Sequence, residues 1–331
     1  MQKANSGRIT KENLRTTEIS VIIPAFNAET FLPKCLSSLK EQTFNDFEVV
    51  LVDDGSQDNT SQVAEGFLNN ASLCFTVIRQ NNSGEGAARN AGIRHSRGKY
   101  LFFLDSDDYL DPDCLKKLFQ SLKNESDFSF CGFRKVSESG QTIGVFVEDF
   151  SKLPSSLEGI SLIELLLKKR LAIPMWCGLY KHEILTKNNI LFRENCRYGE
   201  DQGFLLKYLH FCNIASYVKA DLYLYVQNMQ SVTKNINWKI FDAADMWKDL
   251  AHFYVINDAP QKIIDLVLHY RLPLSITVGI AKLSEDKAHH DKLLDLIKKP
   301  DIRKILSRPK TVGYRLRDFL YLLYSQLLLL W

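Results

Sequence analysis

The chain has 331 residues, of which 45% are hydrophobic and 24% charged, and this composition is typical of a folded globular protein rather than a disordered one. Its net charge of +3 is too small to indicate nucleic-acid binding, so no nucleic-acid partner is expected. The seven cysteines form no C-x-x-C pair and no Cys/His cluster, which argues against zinc and predicts free thiols in the cytoplasm.

Strand-like and helix-like patterns alternate over the first part of the chain. Short runs of β-branched and aromatic residues predict buried strands at 19–24, 47–52, 75–78, 100–104 and 127–136. Between them, apolar periodicity and capping residues predict helices at 30–42, 59–68, 84–95 and 111–123. This alternation requires crossover connections, so the predicted fold class is α/β with a mostly parallel sheet flanked by helices.

The alternation decays in the second half of the sequence. Helices are predicted at 159–170 and 200–212, an extended segment at 216–226, and mainly helix over 237–297. We therefore divide the chain into a polar N-terminal lead (1–18), an α/β domain (19–235) and a helical C-terminal region (236–331). No stretch reaches the roughly 18 apolar residues expected of a membrane span, and residues 1–18 lack the apolar run of a signal peptide.

Polar and acidic residues follow the predicted strands, at 24–27, 53–54, 79–82 and 105–108. Ligands of such sheets bind at the carboxyl ends of the strands, so these residues are the candidate site. Asp105, Asp107 and Asp108 lie within four residues and repel one another. Oxygen ligands of this kind suit Mg²⁺ or Mn²⁺, which completes its shell with water and substrate phosphates. The alternative is that they are loop and cap carboxylates before a helix.

Two further motifs are open to two interpretations each. Asp53 and Asp54 are placed to accept hydrogen bonds from a ribose or a base, although Asp, Gly and Ser also favour an ordinary turn. The Gly84-x-Gly86 pair has Arg89 where a dinucleotide-binding fingerprint needs a third glycine, so that fingerprint is not met. A tight turn that leads into a helix, with Arg89 available to an anion, is the preferred interpretation.

A later acidic pair, Glu200 and Asp201, stands at the start of a predicted helix. Because neighbouring helical side chains diverge by roughly 100°, the two carboxylates have different roles. One of them can face the site as a general base. The alternative is that both simply stabilise the first turn through the helix dipole.

In their order and spacing, these motifs resemble the family 2 glycosyltransferases, which have the GT-A nucleotide-sugar fold, over residues 19–234. The matching stretches are VIIPAFN at 21–27, VDDGS at 52–56, GAARNAG at 86–92, GKYLFFLDSDD at 98–108, WCGLY at 176–180, and Glu200-Asp201. Two positions depart from the family pattern: Phe26 stands where members often have Tyr, and Val226 where Arg is common.

The resemblance implies a role for each motif residue. It implies donor binding by Pro24, Phe26, Asn27, Asp54, Arg89 and Asp105, metal binding by Asp107, acceptor binding by Trp176 and Glu200, and base catalysis by Asp201. The implied reaction moves a sugar from a nucleotide sugar, expected to be a UDP-sugar, to an acceptor hydroxyl by a metal-assisted inverting displacement. A glycan or lipid-linked acceptor in cell-surface polysaccharide assembly is expected. The alternatives are an aspartyl-phosphate phosphatase and a non-catalytic nucleotide-binding protein.

The C-terminal segment combines positive charge with apolar residues. From 296 to 331 there are eight Lys or Arg against two Asp, and residues 319–331 are leucine-rich. This pattern fits a helix on an anionic bilayer, with peripheral contact at the cytoplasmic face of the membrane. The alternative is a terminal helix docked on the core or on a second copy of the chain in a homodimer.

Overall fold

The structure is a computed structural model that describes residues 8–11, 17–71, 73–122, 126–147, 156–227 and 237–306. The chain forms two compact units. Unit 1 comprises Met1–Gly159, Ile173–Asn195 and Phe211–Met229, and unit 2 comprises Ile160–Ala172, Cys196–His210 and Gln230–Trp331. Two segments before the boundary predicted at residue 235 thus group with the C-terminal helices. The leucine-rich segment 319–331, predicted to form a membrane-surface helix, lies outside the described residues.

Four parallel strands form the centre of unit 1. They are β2 (Ile19–Ala25), β3 (Phe47–Asp53), β4 (Cys74–Arg79) and β5 (Tyr100–Phe103), and they lie in the order β4-β3-β2-β5. Every residue of β2 and β3 is buried, as expected of parallel strands covered on both faces. The apolar runs that predicted these strands therefore reflect burial on two sides rather than one.

Helices connect these strands and cover them. They are α1 (Leu32–Lys40), α2 (Thr60–Asn70) and α3 (Glu85–His95). A fourth helix, α4 (Cys114–Ser121), comes after the four strands and packs against the later part of the sheet. Helix α3 packs closely on β2: the approach is so close that a Cβ at Gly92 would lie 2.3 Å from Cγ2 of Ile22. Glycine at this position lets α3 approach the sheet closely enough to bring its N-terminal half to the strand ends.

The sheet continues beyond β5 with strands of mixed direction. β10 (Gly178–Lys181) pairs antiparallel with β5 and with β7 (Phe128–Val136). β11 (Ala215–Val226) runs parallel to β7 and pairs antiparallel with the short strand β6 (Tyr109–Leu110). Strand β8 (Thr142–Phe146) pairs with β7, and β9 (Ser156–Leu157) with β11. Helix α6 (His182–Lys187) follows β10. The predicted α/β class, with a mostly parallel sheet flanked by helices, is confirmed; the sheet is mixed, with its parallel strands at the centre of unit 1.

Five strands in the described part of unit 1 were not predicted. Three of them, β6, β9 and β10, have only two to four residues. Strand β1 (Arg8–Lys11) lies in the polar N-terminal lead and pairs antiparallel with β4. Strand β8 lies in a segment where the sequence offered no pattern, and its two faces are both largely exposed. Because β8 is largely exposed, it buries little apolar surface and lacks the alternation that marks a half-buried strand.

Unit 2 is helical. Its helices are α5 (Gly159–Leu167), α7 (Glu200–His210), α8 (Asp242–Ile256), α9 (Gln261–Leu266), α10 (Leu272–Leu283), α11 (His290–Lys298) and α12 (Pro300–Leu306). A π-helical turn, Val267–Arg271, joins α9 to α10. The predicted helical C-terminal region is confirmed for residues 237–306.

One helical stretch in unit 2 is long and apolar enough to cross a membrane by length and composition. It runs from Gln261 to Leu283, and 72% of its most apolar window is buried inside the protein. A core helix satisfies the same criterion, and the burial of Ile263, Val267 and Ile276 fits that role. No such stretch was expected from the sequence, because Lys262, Asp265 and Arg271 interrupt the apolar run.

Candidate active site

The acidic cluster at 105–108 follows β5 directly, and its first carboxylate is held by a buried arginine. Nη2 of Arg89 donates to Oδ1 of Asp105 at 2.9 Å, and the same nitrogen donates to Glu85 one helical turn earlier. The Arg89 side chain is only 1% exposed, and that of Asp105 is 20% exposed. Charge-assisted bonds of this kind are short and directional, so Asp105 is fixed against α3. Arg89 thus acts on a protein carboxylate, which adds a structural role to its predicted anion contact.

Asp108 is buried and is held by β11. Its Oδ2 accepts a hydrogen bond from the Tyr223 hydroxyl at 2.8 Å, and its Oδ1 accepts one from the Val226 amide at 2.7 Å. The Tyr223 oxygen in turn accepts a hydrogen bond from the Asp105 amide at 3.2 Å. Burial, and then the charges of Asp105 and Asp107, raise the pKa of Asp108 well above its usual value. Asp108, which has no role in the predicted site, therefore anchors the loop to the last long strand.

Asp107 lies between these two fixed carboxylates and is partly exposed. Among the described residues, no group of three or more His, Cys, Asp or Glu side chains converges on one point. The donor set therefore does not fit an all-protein metal cage. It fits a hard divalent cation held through one or two carboxylates and completed by substrate phosphates, as Mg²⁺ commonly is.

The predicted nucleoside residues lie at the carboxyl ends of β2 and β3. Pro24 is buried in β2, whereas the Phe26 side chain is 49% exposed just beyond it. Asn27 has φ +50°, a left-handed conformation that Asn tolerates. Its amide donates to Oγ of Ser56 at 2.9 Å, and its Oδ1 accepts from the Gln57 amide at 2.8 Å. These bonds join the two strand-end loops and present the Phe26 ring at the surface.

The two aspartates after β3 differ in their partners. Oδ1 of Asp54 accepts from Nε2 of Gln80 at 2.7 Å and from the Ser83 amide at 2.9 Å, and its Oδ2 accepts from the Gly84 amide at 2.8 Å. Asp53 accepts from the Ser56 amide at 2.8 Å inside its own turn. Both carboxylates are almost completely buried. Asp54 thus secures the loop before α3, and its predicted nucleoside contact stays a prediction.

Trp176 lies in an aromatic group beside β11. Its ring is 4.3 Å from that of Tyr223 and 5.7 Å from that of Tyr225, centre to centre, and it stacks nearly parallel to Tyr225. Its edge meets the Phe133 ring at 5.0 Å. Since Tyr223 also contacts Asp105 and Asp108, Trp176 is one ring away from the acidic cluster.

Glu200 and Asp201 belong to unit 2, so the site described for unit 1 does not include them. They form the first turn of α7, and both are partly exposed. Gly199, immediately before the helix, has φ +92°, and a Cβ there would lie 3.0 Å from Cε of Met246. The helix therefore begins at a position that only glycine fits well, and Asp201 is displayed from a firmly packed helix. Its predicted role as base stays a prediction.

One positioning residue was missed from the sequence. Asn90, next to Arg89, is buried and exchanges two hydrogen bonds with the backbone of Phe192: Nδ2 donates to its carbonyl at 2.9 Å, and Oδ1 accepts from its amide at 2.8 Å. The Phe192 ring also packs 5.3 Å from the Arg89 guanidinium. A buried Asn in a helix was the available signal, since such an amide needs partners outside the helix.

With this geometry in place, comparison with known proteins identifies the class. The family model "Glycosyl transferase family 2" matches residues 20–170. The "Uncharacterized glycosyltransferase YibD" of Escherichia coli (strain K12) is 30% identical over 237 residues, which are 68% of this chain and 67% of that protein. The chain therefore belongs to glycosyl transferase family 2 and is a glycosyltransferase.

Solved structures agree on the fold. The structure of Staphylococcus aureus TarS 1-349 in complex with UDP-GlcNAc has a TM-score of 0.73 at 21% identity, over 95% of this chain and 88% of that one. The mannosyltransferase PcManGT from Pyrobaculum calidifontis, in complex with GDP-Man and Mn²⁺, has a TM-score of 0.54 at 17% identity, over 96% and 88% of the two chains. The predicted family, enzyme class and fold are confirmed, and the phosphatase and non-catalytic alternatives have no support.

Proposed function

We propose that this glycosyltransferase moves a sugar from a UDP-sugar to a hydroxyl of a glycan acceptor during assembly of a cell-surface polysaccharide. The observation that carries the proposal is the pair of fixed carboxylates, Asp105 and Asp108, on either side of the partly exposed Asp107 at the end of β5. The chain spans about two thirds of the length of YibD, so the substrates of the whole protein belong to this proposal.

Donor binding is assigned to the strand ends of unit 1. Phe26 offers an exposed ring face for the base, and Asp105, held by Arg89, is oriented to accept hydrogen bonds from a ribose. Asp107 would hold Mg²⁺ or Mn²⁺. Such a cation supplies the positive charge that stabilises the negative charge developing on the departing diphosphate. The nucleotide sugars in the TarS and PcManGT structures support a donor of this class, and UDP-GlcNAc in TarS supports uridine as its base.

Transfer itself needs a base for the acceptor hydroxyl, and that role is assigned to Asp201. As the hydroxyl oxygen attacks the anomeric carbon, its proton passes to the Asp201 carboxylate, and the bond from the anomeric carbon to the diphosphate oxygen breaks. A single displacement inverts the configuration at that carbon. Asp201 lies in the first turn of α7, where the helix dipole favours a negative charge.

The test separates donor binding from transfer. Thermal stabilisation by UDP-sugars and GDP-sugars with Mn²⁺ or Mg²⁺ would be measured for the wild type and for the variants Asp107→Ala and Asp201→Asn, with release of nucleoside diphosphate as the activity readout. The matched control is Asp291→Asn, which removes an exposed carboxylate from the first turn of α11.

Asp107→Ala is expected to lose the metal-dependent stabilisation and at least about a hundredfold in turnover. Asp201→Asn is expected to keep donor stabilisation and lose transfer, and Asp291→Asn to behave as wild type. Normal transfer by Asp201→Asn would refute the base assignment. Equal stabilisation of Asp107→Ala and wild type would refute the metal assignment, and stabilisation by GDP-sugars alone would refute the uridine donor.

A further inference from the structure

A row of aromatic side chains leads from the acidic cluster to the surface of unit 1. It starts at Tyr223, whose hydroxyl binds Asp108, and passes through Trp176 and Phe133. It ends at Phe146 on β8, whose ring stacks on that of Phe133 at 4.7 Å with 8° between the planes. The Phe146 side chain is 46% exposed. The rings are therefore in continuous contact from Tyr223, which is completely buried beside the acidic cluster, through the partly exposed Trp176 and Phe133 to the exposed Phe146.

The register of the β7–β8 hairpin places Phe146 on one face and Val145 on the other. Phe146 lies opposite Phe133, and Val145 lies opposite Arg134. Because successive side chains of a strand point to opposite faces, only Phe146 joins the row that includes Trp176. Val145 is 55% exposed, slightly more than Phe146, yet it lies on the face away from that row. One strand thus supplies both the candidate contact and its control.

The tip of the same hairpin lies beside the residue that follows the acidic cluster. A Cβ at Gly140 would be 3.7 Å from the Tyr109 hydroxyl and 3.9 Å from Nζ of Lys34. The ammonium of Lys34 lies over the Tyr109 ring at 4.1 Å, and that of Lys135 over the Phe146 ring at 5.0 Å. The hairpin tip therefore lies next to Tyr109, and ammonium groups at Lys34 and Lys135 lie over aromatic rings.

We propose that the solvent-facing end of this row, Phe146 with the partly exposed Phe133 and Trp176, is an extended subsite for the sugar units of the glycan acceptor that lie beyond the accepting unit. The apolar C–H faces of a pyranose pack on flat aromatic surfaces, and its hydroxyls accept hydrogen bonds from ammonium groups such as that of Lys135. A sugar chain is the occupant because the row begins at the reaction centre, and an acceptor polymer must leave that centre along some path. This inference rests on the proposed function.

The inference predicts that acceptor affinity grows with chain length and that Phe146 supplies part of the gain. A bacterial glycan array would identify the strongest bound glycan for the wild type, and fragments of it of one to six units would then be titrated. The variants are Phe146→Ala, Phe146→Leu and Phe146→Tyr, with Val145→Ala as the same-strand control. Stabilisation by UDP with Mn²⁺ would be measured in parallel, because it reports donor binding alone.

Phe146→Ala and Phe146→Leu are expected to bind the longer fragments about five- to tenfold more weakly, the equivalent of one ring contact. Phe146→Tyr and Val145→Ala are expected to bind as wild type does, and every variant to retain its stabilisation by UDP with Mn²⁺. Unchanged affinity in Phe146→Ala, or an equal loss in Val145→Ala, would overturn the subsite while leaving the proposed function intact.

Two other outcomes also decide the matter. Loss of binding to phosphatidylglycerol vesicles by Phe146→Ala, with glycan binding unchanged, would assign the hairpin to a lipid surface and overturn the sugar subsite. Absence of any bound glycan in a wild type that UDP and Mn²⁺ stabilise would overturn the subsite as well. A wild type that no nucleotide sugar stabilises would instead refute the proposed function.

Discussion

The close approach of α3 to β2 predicts that alanine has opposite effects at two helical glycines. A Cβ at Gly92 would lie 2.3 Å from Cγ2 of Ile22, far inside the roughly 3.5–4.0 Å of an ordinary carbon contact. Ile22 is completely buried in a strand that is paired on both sides, so it has no room to retreat. A Cβ at Gly66 in α2 would meet nothing within 4 Å.

The magnitudes follow from these two environments. Replacing a mid-helix glycine by alanine stabilises a helix by roughly 0.5–1 kcal/mol, and Gly66→Ala should show that gain in full. At Gly92 the same gain is opposed by overpacking, which costs about 1–3 kcal/mol and lies near the upper end here. Gly92→Ala should therefore be destabilised by about 2 kcal/mol, or roughly 4–8 °C in Tm for a unit of this size.

Urea and thermal unfolding of the two variants would measure this difference. The double variant Gly92→Ala with Ile22→Ala gives a further check, because removing Cγ2 of Ile22 also removes the clash. Its loss of stability should be smaller than the sum of the single losses by about 1–2 kcal/mol. The reasoning would be wrong if Gly92→Ala were as stable as Gly66→Ala, or if the two losses simply added.

Two further predictions concern charged residues. Arg89→Met should lower the free energy of unfolding by about 3 kcal/mol and reduce the thermal stabilisation by the donor nucleotide, because it leaves Asp105 without its buried partner. Thermal scans with and without UDP and Mn²⁺ measure both effects. An unchanged Tm would contradict the predicted loss of stability. Glu164, whose pKa is lowered to about 2 by hydrogen bonds from Lys168 and Lys262, should stabilise unit 2 above pH 4.5 and lose that contribution as the pH falls toward 2. Glu164→Gln should accordingly lower the free energy of unfolding by about 1 kcal/mol at neutral pH, since the ion pairs of Glu164 with Lys168 and Lys262 are partly exposed. The assignment would be refuted if the difference in unfolding free energy between wild type and variant became larger below pH 4.

The sequence predicts the parallel half of the sheet to within one or two residues, and the reason is burial. Strands β2, β3 and β5 are covered on both faces, so they consist mainly of Val, Ile, Leu and Phe, with the buried, hydrogen-bonded pair Ser20 and Glu48 as the polar exceptions inside β2 and β3. Strand β8, whose residues are mostly exposed, carries no such pattern. Strand β10 is covered too, but its four residues are too few to show any period.

For the candidate site, the sequence locates the residues but not their partners. The acidic cluster is evident from three carboxylates after an apolar strand. That Asp108 is bound by Tyr223 and Asp105 by Arg89 depends on which strands become neighbours. Likewise, Asp54 was predicted to contact the nucleoside, yet its carboxylate accepts three hydrogen bonds from the loop at 80–84. These hydrogen bonds join residues that are far apart in the sequence, so no short motif reveals them.

The bonds from β11 to Asp108 also set the order in which the site can be built. The hydrogen bond of Asp108 is to Val226, 118 residues later in the chain, and that of Asn90 is to Phe192, 102 residues later. Contacts between such distant positions form late, because the chain must first close a long loop. A nascent chain that has emerged only through β10 lacks Tyr223 and Val226, so Asp108 does not yet have its two hydrogen-bond donors. During synthesis Asp108 therefore lacks both of these partners until β11 has been made and has paired with β7, whereas the Arg89 partner of Asp105 is already present.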